Sequence, residues 1–208
     1  VTGSAVILSE AERARIARAI GRAEAGTAGE IVVLVAARAG LYRSPALALA
    51  LAVALALPWP LILLTHLSAA EIALAQAGGV LAALAATLNE RVRIALTPRP
   101  WRHERARAAA RHEFLAHGLP ATRGRTGVLI YVALAERYAE IVADSAVRAR
   151  IPDGEWRVVL GDLLAAAGRG ELGPGLVVAV ERVGGVLEAA FPGDKAGNEL
   201  PNRVIVLE

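Results

Sequence analysis

Residues 29–65 read GEIVVLVAARAGLYRSPALALALAVALALPWPLILLT. Within them, Glu30–Ala36 is a short run dominated by β-branched residues, the pattern of a strand buried on both faces. Nine residues later the chain enters an apolar stretch of another kind. A membrane-crossing helix needs about 20 predominantly apolar residues, and Pro45–Thr65 meets that length without a charge. Pro58 and Pro60 sit near its far end, where a kink is tolerated, and Trp59 between them suits the headgroup level. His66–Glu71 is a polar break. Ile72–Leu88 is a second apolar segment, with Gln76 inside it and small residues at Ala75, Gly78, Gly79, Ala82 and Ala86 that let two helices approach closely. Core helices of soluble proteins carry roughly 10–14 apolar residues. Two adjacent segments of this length and purity read instead as a transmembrane helical hairpin over 44–96, with spans at about 45–65 and 72–88.

Composition agrees. The chain of 208 residues is 55% hydrophobic with a mean hydropathy of +0.47, and most of the excess lies in Pro45–Leu88. It has no Cys, which excludes disulfides, Cys-ligated zinc and thiol nucleophiles. Lys195 is the one lysine, so the positive charge is carried by arginine; with the abundant alanine this points to a GC-rich bacterial genome. Val1–Leu8 is short and Ser9–Ala25 is studded with charge, so no signal peptide is expected and the apolar segment itself does any targeting. Arg38 and Arg43 flank the entry to the hairpin, Arg91, Arg93, Arg99, Arg102, Arg105 and Arg107 follow its exit, and the 66–71 loop has no Lys or Arg. The positive-inside rule then puts both flanks, both termini and the rest of the chain in the cytoplasm, on a two-pass protein of the bacterial inner membrane.

Outside the hairpin the chain reads as α/β. Ser9-Glu10-Ala11-Glu12 is a capping box ahead of a helix to about Ala25. Trp101–His117 is a helix with Ala106, Ala110 and Phe114 on one face, after a rigid Thr97–Pro100 connector. Gly127–Ala133 and Arg137–Ala143 read as two strands of a hairpin. Glu155–Ala167 and Leu176–Phe191 are helices, with Asp153 as N-cap of the first and Gly168–Gly175 as linker. Arg203–Leu207 adds a short edge strand. If the first two strands lie parallel, they need a crossover connection, and the membrane hairpin plus the Trp101–His117 helix supplies it. The expected architecture is one discontinuous α/β domain, 1–43 plus 97–192, with a small mixed sheet flanked by helices and a tail at 193–208.

This ordered set resembles the TPM domain family: G-E-I-V-V-x-V at Gly29–Val35, F-x-x-x-G at Phe114–Gly118, G-V-L-hydrophobic at Gly127–Ile130, a strand led by arginine in Arg137–Val142, and closing helices from Leu176. It looks especially like the bacterial membrane branch with two spans after the first strand, and Asn198-Glu199-Leu200-Pro201-Asn202 looks like that branch's tail. The resemblance implies an α/β sandwich. It also implies links to acid phosphatase activity, divalent-metal binding and the upkeep of membrane complexes. The chain departs from the commoner pattern at Arg125-Thr126, where many members carry Asp or Asn before the glycine, and at Ala143-Asp144-Ser145, where many carry G-Y-G.

The chemistry-bearing residues are sparse. Glu140 and Asp144 alternate onto one strand face, and Asp153 and Glu155 follow. Such carboxylates suit Ca²⁺ or Mg²⁺, which favour oxygen ligands, and the competing reading is strand-end and helix-start polarity. Asp144 and Asp153 are the metal candidates, Asp144 the catalytic candidate, and Arg123 and Arg125 the anion-binding candidates. His112-Glu113-Phe114-Leu115-Ala116-His117 spaces its histidines by five, about 140° apart on a helix, so they do not converge on one metal. Gly168-Arg169-Gly170-Glu171-Leu172-Gly173 matches G-x-G-x-x-G but follows a helix rather than a strand, and reads as a helix C-cap and turn. Arg91, Arg93, Arg99, Arg102 and Arg105, beside Trp101, read as a basic patch for anionic lipid headgroups. With 4% aromatics, no stacking platform for nucleic acid is expected. The reading that follows is a membrane-anchored, non-enzymatic binding or accessory module, contacting the bilayer and a membrane protein or complex in assembly or quality control. The rival is an acid-phosphatase-like hydrolase at the acidic strand end.

Overall fold

The computed structural model describes residues 7–40, 44–193, 200–202 and 204–207. They divide into two compact units, Val1–Ala39 with Glu104–Glu208, and Gly40–His103. Arg43, Asn198, Glu199 and Arg203 of the sequence reading lie outside the described residues, as does the side chain of Arg91.

The first unit is built on a four-stranded mixed sheet. Helix α1 (Glu10–Glu24) starts at the capping box: the Glu12 N–H donates to Ser9 Oγ at 3.3 Å, and the Ser9 N–H donates to Glu12 Oε2 at 2.9 Å. Strand β1 (Glu30–Ala36) is buried along its whole length, as its unbroken apolar run requires. It pairs in parallel with β2 (Gly127–Ala133), also wholly buried, which turns into the antiparallel β3 (Tyr138–Ala143). Strand β4 (Val204–Leu207) lies parallel on the other side of β1.

Because strand side chains alternate, the sheet has two cores. Ile31, Val33, Val35, Val128, Ile130 and Val132 face α1, α8 (Asp153–Gly168) and α9 (Leu172–Ala190). Val32, Leu34, Ala36, Leu129 and Tyr131 face Ala106, Ala110 and Phe114 of α6 (Arg99–Ala116). Gly184 permits a close approach of α9 to α1, since a Cβ there would lie 2.5 Å from that of Ala23.

Several elements differ from the sequence reading. Helix α9 begins at Leu172, not Leu176: Pro174 sits in its first turn, where a missing N–H costs nothing. Pro152, not Asp153, is the N-cap of α8, and Asp153 lies in the first turn, where its charge suits the helix dipole. Asp144 caps a short helix α7 (Ser145–Arg150) that the sequence reading lacks. Arg99 and Pro100 belong to α6 rather than to a connector, and a further helix α5 (Glu90–Leu96) precedes it.

The second unit is a helical hairpin. Helix α2 (Ser44–Ala56) runs into α3 (Pro58–Leu64), and α4 (Ala69–Ala86) returns. Its start is fixed by a second capping box, Ser68 with Glu71, three residues earlier than expected. Ala46–Leu64 and Ala69–Ala86 are each long and apolar enough to cross a membrane, and 6% of each is buried. A core helix hides its leucines. Here Leu64 is 82% exposed and Leu74 is 74% exposed.

The proline at the α2–α3 junction has a partner on α4. Pro58 has no N–H, so the Ala54 carbonyl four residues earlier loses its helical donor. Gln76 Nε2 of α4 donates to that carbonyl at 2.8 Å. Gly79 lets the helices meet there, since a Cβ would fall 2.6 Å from Leu57 Cδ2.

Candidate functional site

The acidic end of β3 is built by the sheet register. The Asp144 N–H donates to the Gly127 carbonyl at 2.9 Å, which sets Asp144 opposite Gly127, and Gly127 pairs with Glu30 on its other side. Glu30, Gly127 and Asp144 therefore form one row across the face toward α6. Gly127 is needed there because a Cβ would lie 2.7 Å from the Leu119 carbonyl oxygen, so the Leu119 segment fills the space above the row. Asp144 is 7% exposed; its Oδ1 accepts the Ser145 N–H at the start of α7, and its Oδ2 has no hydrogen-bond partner among the described residues.

The remaining candidates do not gather around it. Asp153 is exposed on α8. Glu140 shares the Asp144 face but stands four residues away, about 13 Å along a strand. It is engaged by the Tyr138 hydroxyl, which donates to Glu140 Oε2 at 2.8 Å, and by Arg107 Nε, 3.4 Å from Oε1. Arg123 and Arg125 are exposed in a turn closed by the Arg125 N–H donating to the Thr122 carbonyl at 3.0 Å. Among the described residues no group of three or more His, Asp or Glu side chains is arranged to hold a metal ion. Asp144 alone does not make the oxygen cage Ca²⁺ requires.

The two motif look-alikes resolve as helix furniture. His117 Nε2 pairs with Glu113 Oε2 at 3.3 Å along α6, while His112 is exposed. Gly170 ends α8 in the left-handed conformation, φ +82°, with the Glu171 N–H donating to the Ala166 carbonyl at 2.9 Å. In the basic segment, Arg99, Arg105 and Trp101 are exposed on α6; Arg93 on α5 and Arg102 on α6 are half-buried.

Several polar residues inside the fold have roles that the sequence reading does not give them. Glu24 Oε1 accepts the Ile31 N–H at 2.7 Å, and the Thr126 hydroxyl donates to the Ala28 carbonyl at 2.8 Å. Glu136 accepts the Ala39 N–H at 3.0 Å. Burial, with Glu136 and Glu113 nearby, pushes the Tyr131 phenol up to about 12, and burial with the Glu140 contact pushes Tyr138 up as well. Glu24, Thr126 and Glu136 satisfy strand and turn backbone. Their one signal in the sequence is a polar residue abutting a buried apolar run, as Glu30 and Thr126 do.

With that geometry in view, the family comparison is decisive. A match to the TPM domain covers residues 66–186, more than half of the chain. The chain belongs to the TPM domain family. The matched residues hold the TPM elements from α4 through most of α9; α1 and β1 precede them. Among solved structures, the NMR structure of BA42 protein from the psychrophilic bacterium Bizionia argentinensis is similar over 99% of each chain, at a TM-score of 0.61 and 19% identity. That likeness carries the TPM-like α/β fold. No curated protein matches the chain.

Proposed function

We infer that the protein is a membrane-anchored TPM domain acting as a binding or accessory module at the inner face of a bacterial cytoplasmic membrane, rather than as a hydrolase. The observation that carries this reading is the pair of exposed apolar helices within the crossover between β1 and β2, two neighbouring parallel strands. Both ends of the hairpin return to one sheet, so the domain is tethered twice. A protein so tethered suits work on a partner in the same bilayer, such as a membrane protein being assembled or monitored. The arginines after the second span, with Trp101 beside them, suit anionic headgroups on the cytoplasmic side.

The acidic strand end supports binding better than turnover. Phosphoryl transfer needs a nucleophile or activated water held against positive groups. Asp144 is buried, and one of its oxygens is committed to the start of α7. The purified full-length protein is expected not to hydrolyse p-nitrophenyl phosphate at acid or neutral pH, with or without Mg²⁺ or Ca²⁺. Turnover that Asp144→Asn abolishes would establish the hydrolase instead.

A further inference from the structure

We propose that the cleft at the carboxyl end of β2 binds a small organic monoanion, a carboxylate with a short apolar or aromatic tail, through Arg137. The cleft holds about 610 Å³ and is walled by Val132, Ala133 and Leu134 on the strand side and by Leu164 and Ala167 in the last turns of α8. That volume lies in the range of small-molecule sites, and in open α/β sheets ligands bind outside the carboxyl ends of the strands.

Arg137 is the one charged residue in the lining. It sits at φ +50°, in the left-handed region that a side chain other than Gly, Asn or Asp rarely adopts. The turn explains the conformation: the Arg137 N–H donates to the Leu134 carbonyl at 3.1 Å, and a type I hairpin turn is followed by such a residue, normally Gly. It does not explain an arginine. Among the described residues its side chain makes no hydrogen bond or ion pair. The carbonyls near the end of α8 are engaged by the chain that follows: Ala165 accepts from the Arg169 N–H, Ala166 from the Arg169 and Glu171 N–H groups, and Ala167 from the Gly170 N–H. An exposed arginine in the left-handed region, on the rim of a cleft whose other lining side chains are apolar, matches a ligand with a planar anionic head and an apolar body. A guanidinium fork suits a carboxylate bidentately. A single cation in the lining favours a monoanion over a phosphate dianion.

The proposal stands independently of the membrane reading, and its test uses the full-length protein in lipid nanodiscs. Saturation-transfer NMR with 4-ethylbenzoate is expected to show binding above that to empty nanodiscs, and much less with the neutral 4-ethylbenzyl alcohol. Arg137→Gly is expected to lose at least tenfold of that binding while raising Tm by about 2–4 °C, since relief of strain stabilises the fold as the ligand contact disappears. Leu164→Trp, which fills the cleft and leaves Arg137 in place, is expected to lose binding as well. The proposal is overturned by absence of 4-ethylbenzoate binding in the wild type, by equal saturation of the alcohol, or by undiminished binding in either variant.

Discussion

At the scale of single residues, the fold repeatedly buries a polar group where backbone would otherwise go unpaired. Glu24 meets the first N–H of β1 beyond Glu30, Thr126 meets the carbonyl before β1, and Glu136 meets Ala39. Tyr131, 1% exposed under α6, shows the cost of such a setting for a group that must ionise. Its phenol is raised to about 12, chiefly by burial, against about 10 in an unfolded chain. Between those values the folded state holds the proton that the unfolded state gives up, so stability falls as pH rises. The stabilisation is full below about pH 10 and lost through about pH 12. Tyr131→Phe is therefore expected to flatten the loss of Tm across that window, and a Tyr131→Phe profile as steep as that of the wild type would contradict the assignment.

At the scale of elements, legibility followed the strength of the local pattern. β1 and β2 were readable to the residue because a continuous β-branched run has one solution, and the capping box of Ser9 with Glu12 announced α1. α7 is not readable: its six residues are too few to show a helical period, and its N-cap, Asp144, reads equally well as a strand-end ligand. The start of α9 is hidden in the sequence because Gly173, Pro174 and Gly175 look like a linker, although a first turn accepts proline and close packing on α1 and α8 favours glycine. The candidate site was the least readable part. Which carboxylates are near one another depends on sheet register, and Glu30 and Asp144 share a row only because both flank Gly127.

The hairpin carries its own prediction at this scale. Pro58 strands the Ala54 carbonyl, and in a bilayer no water replaces the lost donor. Gln76 supplies it from the facing helix. Gln76→Leu is expected to destabilise the hairpin by roughly 1 kcal/mol, the scale of interhelical hydrogen bonds in membranes, in a reversible detergent-unfolding titration. Combining it with Pro58→Ala, which restores the N–H, should recover most of that loss. A double variant no more stable than Gln76→Leu alone would show that the bond is not a repair of the proline.

At the scale of the whole molecule, the TPM fold supplies a small sheet covered on both faces, and the sequence between its two central strands supplies two helices long and apolar enough to cross a membrane, the anchor of the proposed function. The arginines on either side of the hairpin and the uncharged-to-acidic loop between its helices are the physical basis of the proposed orientation. The absence of native cysteine makes the orientation directly measurable. Single-cysteine variants His66→Cys, in the inter-helix loop, and Asp153→Cys, on the first turn of α8, can be probed in intact inner-membrane spheroplasts with a membrane-impermeant maleimide. The account predicts labelling of His66→Cys in intact spheroplasts, and labelling of Asp153→Cys after the membrane is permeabilised but not before. Labelling of Asp153→Cys from outside, or recovery of the full-length protein in the soluble fraction, would contradict it.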